Sequence, residues 1–116
     1  MAIDKPLAIE RKDGKAPGTV ITHLSGPVTL CNLFDLQAQL RSGELPRASI
    51  LDLSGVPYMD SAGMGAIINY YTHCQNRGIK LIISDVSSRV MELFKMTRVD
   101  TAMTFAANVE AAEAGL

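Results

Sequence analysis

Residues 56–68 read VPYMDSAGMGAII, and this stretch decides the fold because it joins two kinds of periodicity. Before it, the short apolar run at 50–53 is typical of a strand buried on both faces. After it, residues 61–77 repeat apolar side chains at helical spacing and lead to Gly78, a common residue type at a helix end. The stretch therefore predicts a turn from strand to helix, with Asp60 and Ser61 at the junction.

Asp60 and Ser61 are both suited to cap this helix, because either side chain can accept a hydrogen bond from an early backbone N–H. Gly63 and Gly65 weaken the first turns, and their small size predicts the close approach of another backbone or of a partner. A phosphate on the Ser61 hydroxyl would lie near the positive end of the helix dipole. The residues alone leave two interpretations open, a helix cap and a phosphorylation-gated docking site.

A serine nucleophile at position 61 is not indicated. The nucleophile elbow reads Gly-x-Ser-x-Gly, and here Met59 stands where the first glycine is needed. His73 would lie about three turns along the same helix, out of reach of the hydroxyl. His23 lies in a strand pattern, where a packed or half-exposed histidine is the ordinary interpretation. We therefore expect no catalytic residue, no enzyme activity and no cofactor.

Strand and helix patterns alternate on both sides of this junction. They predict a hairpin from residues 7–11 and 19–24, then helix, strand, helix, strand, helix, strand and helix. Ser87 or Ser88 and Asn108 are the expected caps of the last two helices. This order predicts an α/β fold, with a mixed, mostly parallel sheet of four to five strands, an antiparallel N-terminal hairpin and about four helices.

The first predicted helix runs from a Thr29 cap to a Gly43 stop. Its expected apolar face consists of Leu33, Phe34, Leu36 and Leu40. The methionines of the C-terminal half are expected to fill the core, since the flexible thioether suits irregular gaps. These methionines are Met91, Met96 and Met103.

Composition and charge limit the possible functions. The chain has 116 residues, 47% hydrophobic and 20% charged, and its net charge is −1. This profile is typical of one soluble domain and argues against direct nucleic-acid binding, which needs a concentrated positive field. Cys31 and Cys74 are expected to be buried free thiols, and no clustered metal ligands occur. With no signal-peptide pattern and no membrane-spanning run, we expect a cytoplasmic protein without membrane insertion.

Two segments resemble the STAS domain, and in particular the stand-alone anti-sigma-factor antagonists of bacteria. They are ILDLSGVPYMDSAGMGAIINYY, residues 50–71, and RGIKLIISDVSSRVMELFKMTRVD, residues 77–100. The resemblance runs from about residue 7 to the C-terminus. It implies one STAS domain over residues 1–116, with a core at about 7–114.

The resemblance also implies a function and a site. In such antagonists the unphosphorylated domain binds a serine-kinase anti-sigma factor and frees the sigma factor. Phosphorylation of the serine after the motif aspartate ends the binding, and a phosphatase restores it. By position, Ser61 is the implied phosphorylation site. The implied partner-binding residues are Met59, Asp60, Ser61, Gly63 and Met64.

The loop after the second predicted strand departs from the family pattern. Gly-Glu-Leu-Asp is common there, whereas this chain has Gly26, Pro27, Val28 and Thr29. Both acidic residues, which contribute to the partner surface, are absent. The alternative interpretation is a STAS subunit of a lipid-transport ABC complex, or a stress-signalling scaffold, with Ser61 only a helix cap.

Overall fold

The computed structural model describes residues 7–116, which form nine helices and strands. The strands and helices alternate after the initial hairpin, as the sequence predicts. Their bounds are β1 Ala8–Asp13, β2 Thr19–Ser25, α1 Leu33–Leu40, β3 Ala48–Gly55, α2 Ser61–Asn76, β4 Lys80–Ser84, α3 Ser88–Met96, β5 Thr104–Ala106 and α4 Val109–Ala114.

The five strands form one sheet in the order β1-β2-β3-β4-β5. The hairpin pair β1–β2 is antiparallel, and each later pair is parallel. Parallel neighbours need a crossover, and here helices provide it. The predicted α/β fold, with its mixed sheet and antiparallel edge, is confirmed.

Each face of the sheet packs against its own helices, because side chains alternate along a strand. Leu51 and Ile83 belong to the large cluster that also contains buried side chains of α1, α2 and α3. Ile50 and Ile82 belong to a smaller cluster with Ala112 of α4. The carboxyl ends of the parallel strands lead into α2 and α3, and this edge carries the Asp60–Ser61 junction.

Helix α2 is also tied to the sheet by a buried polar contact. The Tyr70 hydroxyl donates to the Ser49 hydroxyl oxygen of β3 at 2.8 Å. Burial raises the pKa of Tyr70 to about 12. The phenol therefore stays protonated. Its hydrogen bond to β3 helps to fix the position of α2, and of the Asp60–Ser61 junction at its start, relative to the sheet.

Three predicted helix signals are confirmed. The Ser87 side chain caps α3 by accepting from the Val90 N–H, and Asn108 caps α4 by accepting from the Ala111 N–H. Gly78 follows the end of α2 with φ +67°, the left-handed conformation that favours glycine.

The predicted start of α1 is wrong. The helix begins at Leu33, and Thr29 lies buried in the preceding loop, away from the cap position. The reason is nonlocal, because Val28 pairs with Met59 in a parallel bridge that holds residues 26–29 in the loop. Phe34, expected on the apolar face, is 77% exposed, and α1 ends at Leu40, before Gly43.

Two further burial predictions are wrong. Cys31 is exposed in the turn before α1, whereas Cys74 is buried as expected. Met96 is exposed at the last position of α3, where that helix has passed the edge of the core. Met103 is buried and Met91 packs partly buried against the core, as predicted.

Candidate functional site

Asp60 is the N-cap of α2. Its backbone is extended, with φ −99° and ψ −175°, and its Oδ1 accepts from the Gly63 N–H at 2.8 Å. The second oxygen, Oδ2, accepts from the Leu30 N–H at 3.1 Å. One carboxylate therefore satisfies a free donor of the helix and also fixes the loop in front of α1. Ser61 is not the cap, so the cap role that the alternative interpretation gave to this residue is wrong.

The loop at 26–29 rests directly on the start of α2. The Asp60 N–H donates to the Val28 carbonyl at 3.2 Å, and the Val28 N–H donates to the Tyr58 carbonyl at 3.2 Å. A Cβ on Gly63 would collide with the Val28 carbonyl oxygen and lie 2.7 Å from the Val28 carbonyl carbon. Gly63 is therefore required for packing within the chain.

The residues expected at the partner surface divide into two groups. Asp60 and Ser61 are exposed at the surface, whereas Met59, Gly63 and Met64 are buried beneath it. The structure brings all five together around the start of α2, but the buried three support the surface from below. In this conformation, direct contact with a partner is open to Asp60 and Ser61.

Two large apolar side chains, one in the turn before α1 and one in its first turn, are exposed, and sequence reasoning missed both. Leu30 is 62% exposed, and its N–H is the one held by Asp60. Phe34, one turn further along, is exposed on α1. Large exposed apolar side chains that form a contiguous patch often mark an interaction site, and Leu30 is the one tied to Asp60. Helical periodicity assigned Phe34 to the apolar face of α1, and Leu30 received no assignment from the sequence.

The loop at 26–29, which lacks the acidic residues of the family pattern, is mostly buried and packs against the start of α2. Gly26 has φ +118°, and Pro27, Val28 and Thr29 are all buried. The Asn32 side chain donates to the Pro27 carbonyl at 2.8 Å and holds the loop closed. The surface near Ser61 therefore has apolar Leu30 next to a buried loop, without carboxylates at positions 27–29.

The other flank of the site comes from α3. The Arg89 guanidinium lies 5.5 Å from the centre of the Tyr58 ring, in cation–π range. Tyr58 is two residues before Asp60 and is half-buried. This contact places a positive charge at the rim of the site, on the side of α3.

A hydrolytic centre is not assembled around Ser61. His73 lies twelve residues along α2, about 18 Å away at the helical rise. It is buried and stacks on Tyr70 at 5.9 Å between ring centres. Burial, together with Arg77 and Arg41, lowers the pKa of His73. Within residues 7–116, no three His, Cys, Asp or Glu side chains form a group that could hold a metal.

A second polar pair lies on the α4 face of the sheet. His23 Nδ1 is 2.8 Å from Asp52 Oδ2, and the two residues are cross-strand neighbours of β2 and β3. Burial favours a raised pKa for Asp52, but hydrogen bonds from the Ser54 N–H and from His23 outweigh it and lower the pKa. The pair lines a cleft of about 340 Å³ with Glu10, Lys12, Ile21 and Val109.

The STAS domain family model matches residues 11–112. The chain belongs to the STAS domain family. Among curated proteins, solute carrier family 26 member 10 of Mus musculus is 26% identical over 105 residues. The match spans 81% of this chain but only 16% of that protein.

Two solved STAS structures show how the fold recurs in proteins with different descriptions. A sulfate transporter family protein from Wolinella succinogenes is 27% identical, with a TM-score of 0.73 over 82% of this chain and 81% of that chain. Phosphorylated SpoIIAA of Bacillus is 18% identical, with a TM-score of 0.70 over 94% and 100%. SpoIIAA, solved also without the phosphate, is described as an anti-sigma factor antagonist.

None of the helices within residues 7–116 combines the length and the apolar character that a membrane crossing requires.

Proposed function

We propose that this STAS protein is an anti-sigma-factor antagonist. In its unphosphorylated form it binds a serine-kinase anti-sigma factor, which frees the sigma factor. The kinase phosphorylates Ser61, the complex dissociates, and a phosphatase restores binding. The chain acts in the cytoplasm as one STAS domain, through protein contacts and without catalysis, a cofactor, a metal, nucleic-acid contact or membrane insertion.

One observation carries the proposal: Ser61 is exposed at the first position of α2 while Asp60 makes the cap. The Ser61 hydroxyl is not needed for the helix and is accessible to a kinase. A phosphate there adds a charge of about −1.5 to −2 next to the positive end of the helix dipole. The modification therefore changes the surface without removing the cap that stabilises α2.

The surroundings of Ser61 explain how the phosphate ends binding. Leu30, whose N–H is held by Asp60, exposes apolar surface beside it, and a partner covering that surface would exclude water from the serine as well. A dianion loses its hydration there, and an uncompensated buried charge is strongly unfavourable. Each 1.4 kcal/mol of such cost is a tenfold loss of affinity.

The comparisons support the proposal in one respect. SpoIIAA, which shares this fold over almost the whole chain, has been solved both with and without a phosphate. The STAS fold therefore tolerates a phosphorylated state in a relative described as an anti-sigma factor antagonist. We assign the corresponding modification here to Ser61 on the sequence motif and on its exposure.

The loop at 26–29 limits the chemical character of the partner surface that can bind here. Residues 27–29 present no acidic side chain, and they are buried. We infer that Leu30 and Phe34 take over the partner contact that acidic loop residues make in the antagonists this sequence resembles. The partner is then an anti-sigma factor that contacts an apolar surface at this position.

A second candidate function is a STAS module that works with a membrane transport complex and has no phospho-switch. The 27% identity to the sulfate transporter family protein favours it, as does the similarity to a solute carrier. In this case Ser61 is an exposed serine without a regulatory role. Stable co-purification with a permease or a transport ATPase, equally by wild type and Ser61→Asp, distinguishes this candidate.

The decisive experiment compares wild type, Ser61→Ala and Ser61→Asp by calorimetric titration with the purified anti-sigma factor kinase encoded in the same genome. Ser88→Asp is the matched control, because Ser88 is also an exposed serine directly after the cap of its helix. Ser61→Asp is expected to lose at least about tenfold in affinity. Kinase and ATP should phosphorylate wild type at residue 61 and leave Ser61→Ala unmodified. Unchanged affinity for Ser61→Asp and for the phosphorylated protein would refute the proposal.

A further inference from the structure

Strand β1 forms a free edge of the sheet. It pairs with β2 on one side, and no strand within residues 7–116 pairs with its other side. Its register with β2 is regular from Ala8↔Ser25 to Asp13↔Val20, and the strand contains neither a bulge nor a proline. Bulges, prolines and short length commonly protect edge strands from pairing. The opposite edge, β5, has only three residues, whereas β1 has six. The edge of β1 is therefore open to a further strand.

The hydrogen bonds of the hairpin show which backbone groups this edge presents. The Gly14 N–H donates to the Thr19 carbonyl at 2.8 Å, just beyond the end of β1 and in the same register. Hydrogen-bonded and non-hydrogen-bonded pairs alternate along an antiparallel ladder, so residues an odd number of positions before Gly14 turn their N–H and C=O away from β2. Ile9, Arg11 and Asp13 therefore present their backbone donors and acceptors at the free edge.

We propose that a second copy of this chain pairs with this edge, β1 against β1 in antiparallel orientation, around a two-fold axis at Arg11. Two five-stranded sheets then join into one continuous sheet. The inference goes beyond the proposed function, because it assigns an interaction surface away from the start of α2 and does not depend on the phosphorylation of Ser61.

The charges on β1 select this register. In a two-fold antiparallel pair, the residue at the axis lies opposite its own copy, and an axis at Glu10 or at Lys12 therefore places like charges opposite each other. An axis at Arg11 places Glu10 of each copy opposite Lys12 of the other. Directly opposite residues have Cβ atoms about 4.5–5.5 Å apart, where opposite charges stabilise a sheet and like charges destabilise it. Charges that protect the edge in the other two registers thus favour the register at Arg11.

The backbone favours the same register. With the axis at Arg11, Ile9 of one copy lies opposite Asp13 of the other, and the two Arg11 residues lie opposite each other. All three residues that turn their N–H and C=O outward then find a partner within β1. Glu10 and Lys12 occupy the non-hydrogen-bonded positions of the new ladder, where side chains approach each other more closely.

The two Arg11 side chains at the axis are held away from each other. Arg11 Nη1 donates to the Gln39 carbonyl at 3.1 Å and to the Ser42 carbonyl at 2.9 Å, at the end of α1. A cation is stabilised there by the negative end of the helix dipole. Glu10 and Lys12 are exposed on the other face of the sheet, where Lys12 neighbours Ile21 of the cluster under α4. Each guanidinium is therefore bound to its own chain, and the ion pairs form on the opposite face.

The expected dimer is weak. One pair of six-residue strands with two exposed ion pairs is a small interface, and interfaces below about 1,200 Å² belong to weak or transient complexes. Sedimentation equilibrium of the full chain from about 10 μM to about 1 mM, at low salt, should show a reversible monomer–dimer equilibrium.

Charge exchange tests the register. Glu10→Lys and Lys12→Glu each place like charges at both pairs, and each should weaken dimerisation at least about tenfold. The double variant Glu10→Lys/Lys12→Glu restores opposite charges with exchanged positions and should dimerise within about threefold of wild type. An equimolar mixture of the two single variants should form a heterodimer. Lys95→Glu, on the exposed side of α3, makes the same change of charge elsewhere and should dimerise as wild type.

Three results would overturn the inference. A wild-type chain that stays monomeric up to about 1 mM has no second copy at this edge. A dimer that all variants retain equally forms through another face. A double variant as weak as the single variants contradicts the axis at Arg11. The proposed function is tested with the kinase and the Ser61 variants, so its failure is distinguishable from each of these results.

Discussion

The two glycines at the start of α2 differ in what lies in front of them. Gly63 faces the protein, where the Val28 backbone fills the space that a side chain would need. Gly65 faces outward, and its surroundings within the described chain are open. The same residue type, two positions apart, is thus required by internal packing in one case, whereas in the other a side chain would meet no atom of the described chain. The difference teaches that the inward side of this turn fixes the geometry of the site, whereas the outward side is exposed and makes no contact that would require glycine.

Gly63→Ala is the strongest test of the inward side. The methyl group would meet the Val28 carbonyl, and the loop at 26–29 would have to move. We expect a loss of about 1–3 kcal/mol in the free energy of unfolding, measured by urea denaturation. Gly65→Ala, the matched variant, should shift in the opposite direction. Equal stability of Gly63→Ala and wild type would remove the contrast between the two glycines.

Asp60→Ala tests the carboxylate that hydrogen-bonds both to the first turn of α2 and to the turn before α1. The variant leaves the N–H groups of Gly63 and Leu30 without their acceptor, and we expect it to cost about 0.5–2 kcal/mol. Ser87→Ala on α3 is the comparison, because that cap accepts only one backbone hydrogen bond. Thermal denaturation should show the larger loss for Asp60→Ala. A smaller loss than for Ser87→Ala would mean that the bond to Leu30 contributes nothing.

Ser61→Ala should have the smallest effect on stability. The residue is exposed, and Asp60 makes the cap, so we expect the free energy of unfolding to change by less than about 0.5 kcal/mol. The same denaturation experiment measures it. A loss as large as that of Asp60→Ala would show that the hydroxyl stabilises the helix, and Ser61 would then belong to the inward side.

Local sequence patterns predicted most of the fold. Strand and helix periodicity, together with the caps at Ser87 and Asn108, follow from neighbouring residues, and the structure confirms them. The start of α1 was missed because its cause is the bridge between Val28 and Met59, thirty-one positions apart. A helical pattern in residues 29–43 cannot reveal that a distant strand end holds the first residues in a loop.

The site was predicted in position but not in detail. The motif located Asp60 and Ser61 at the end of a strand, yet both can cap a helix, and only the observed hydrogen bonds assign the cap to Asp60. Likewise, the spacing of Gly63 and Gly65 carries no information about which one faces the protein. Phe34 has the spacing of a core residue, and its exposure depends on how α1 is rotated against α2.

The exposed turn before α1 supplies a natural reporter position. Cys31 is exposed and follows Leu30, whose N–H is held by Asp60. Cys74 is buried, and burial raises its pKa, so it reacts poorly with reagents that attack thiolates. A maleimide dye added to the unaltered protein should therefore label Cys31 selectively. Its fluorescence would follow events beside Ser61 in real time, without an introduced cysteine.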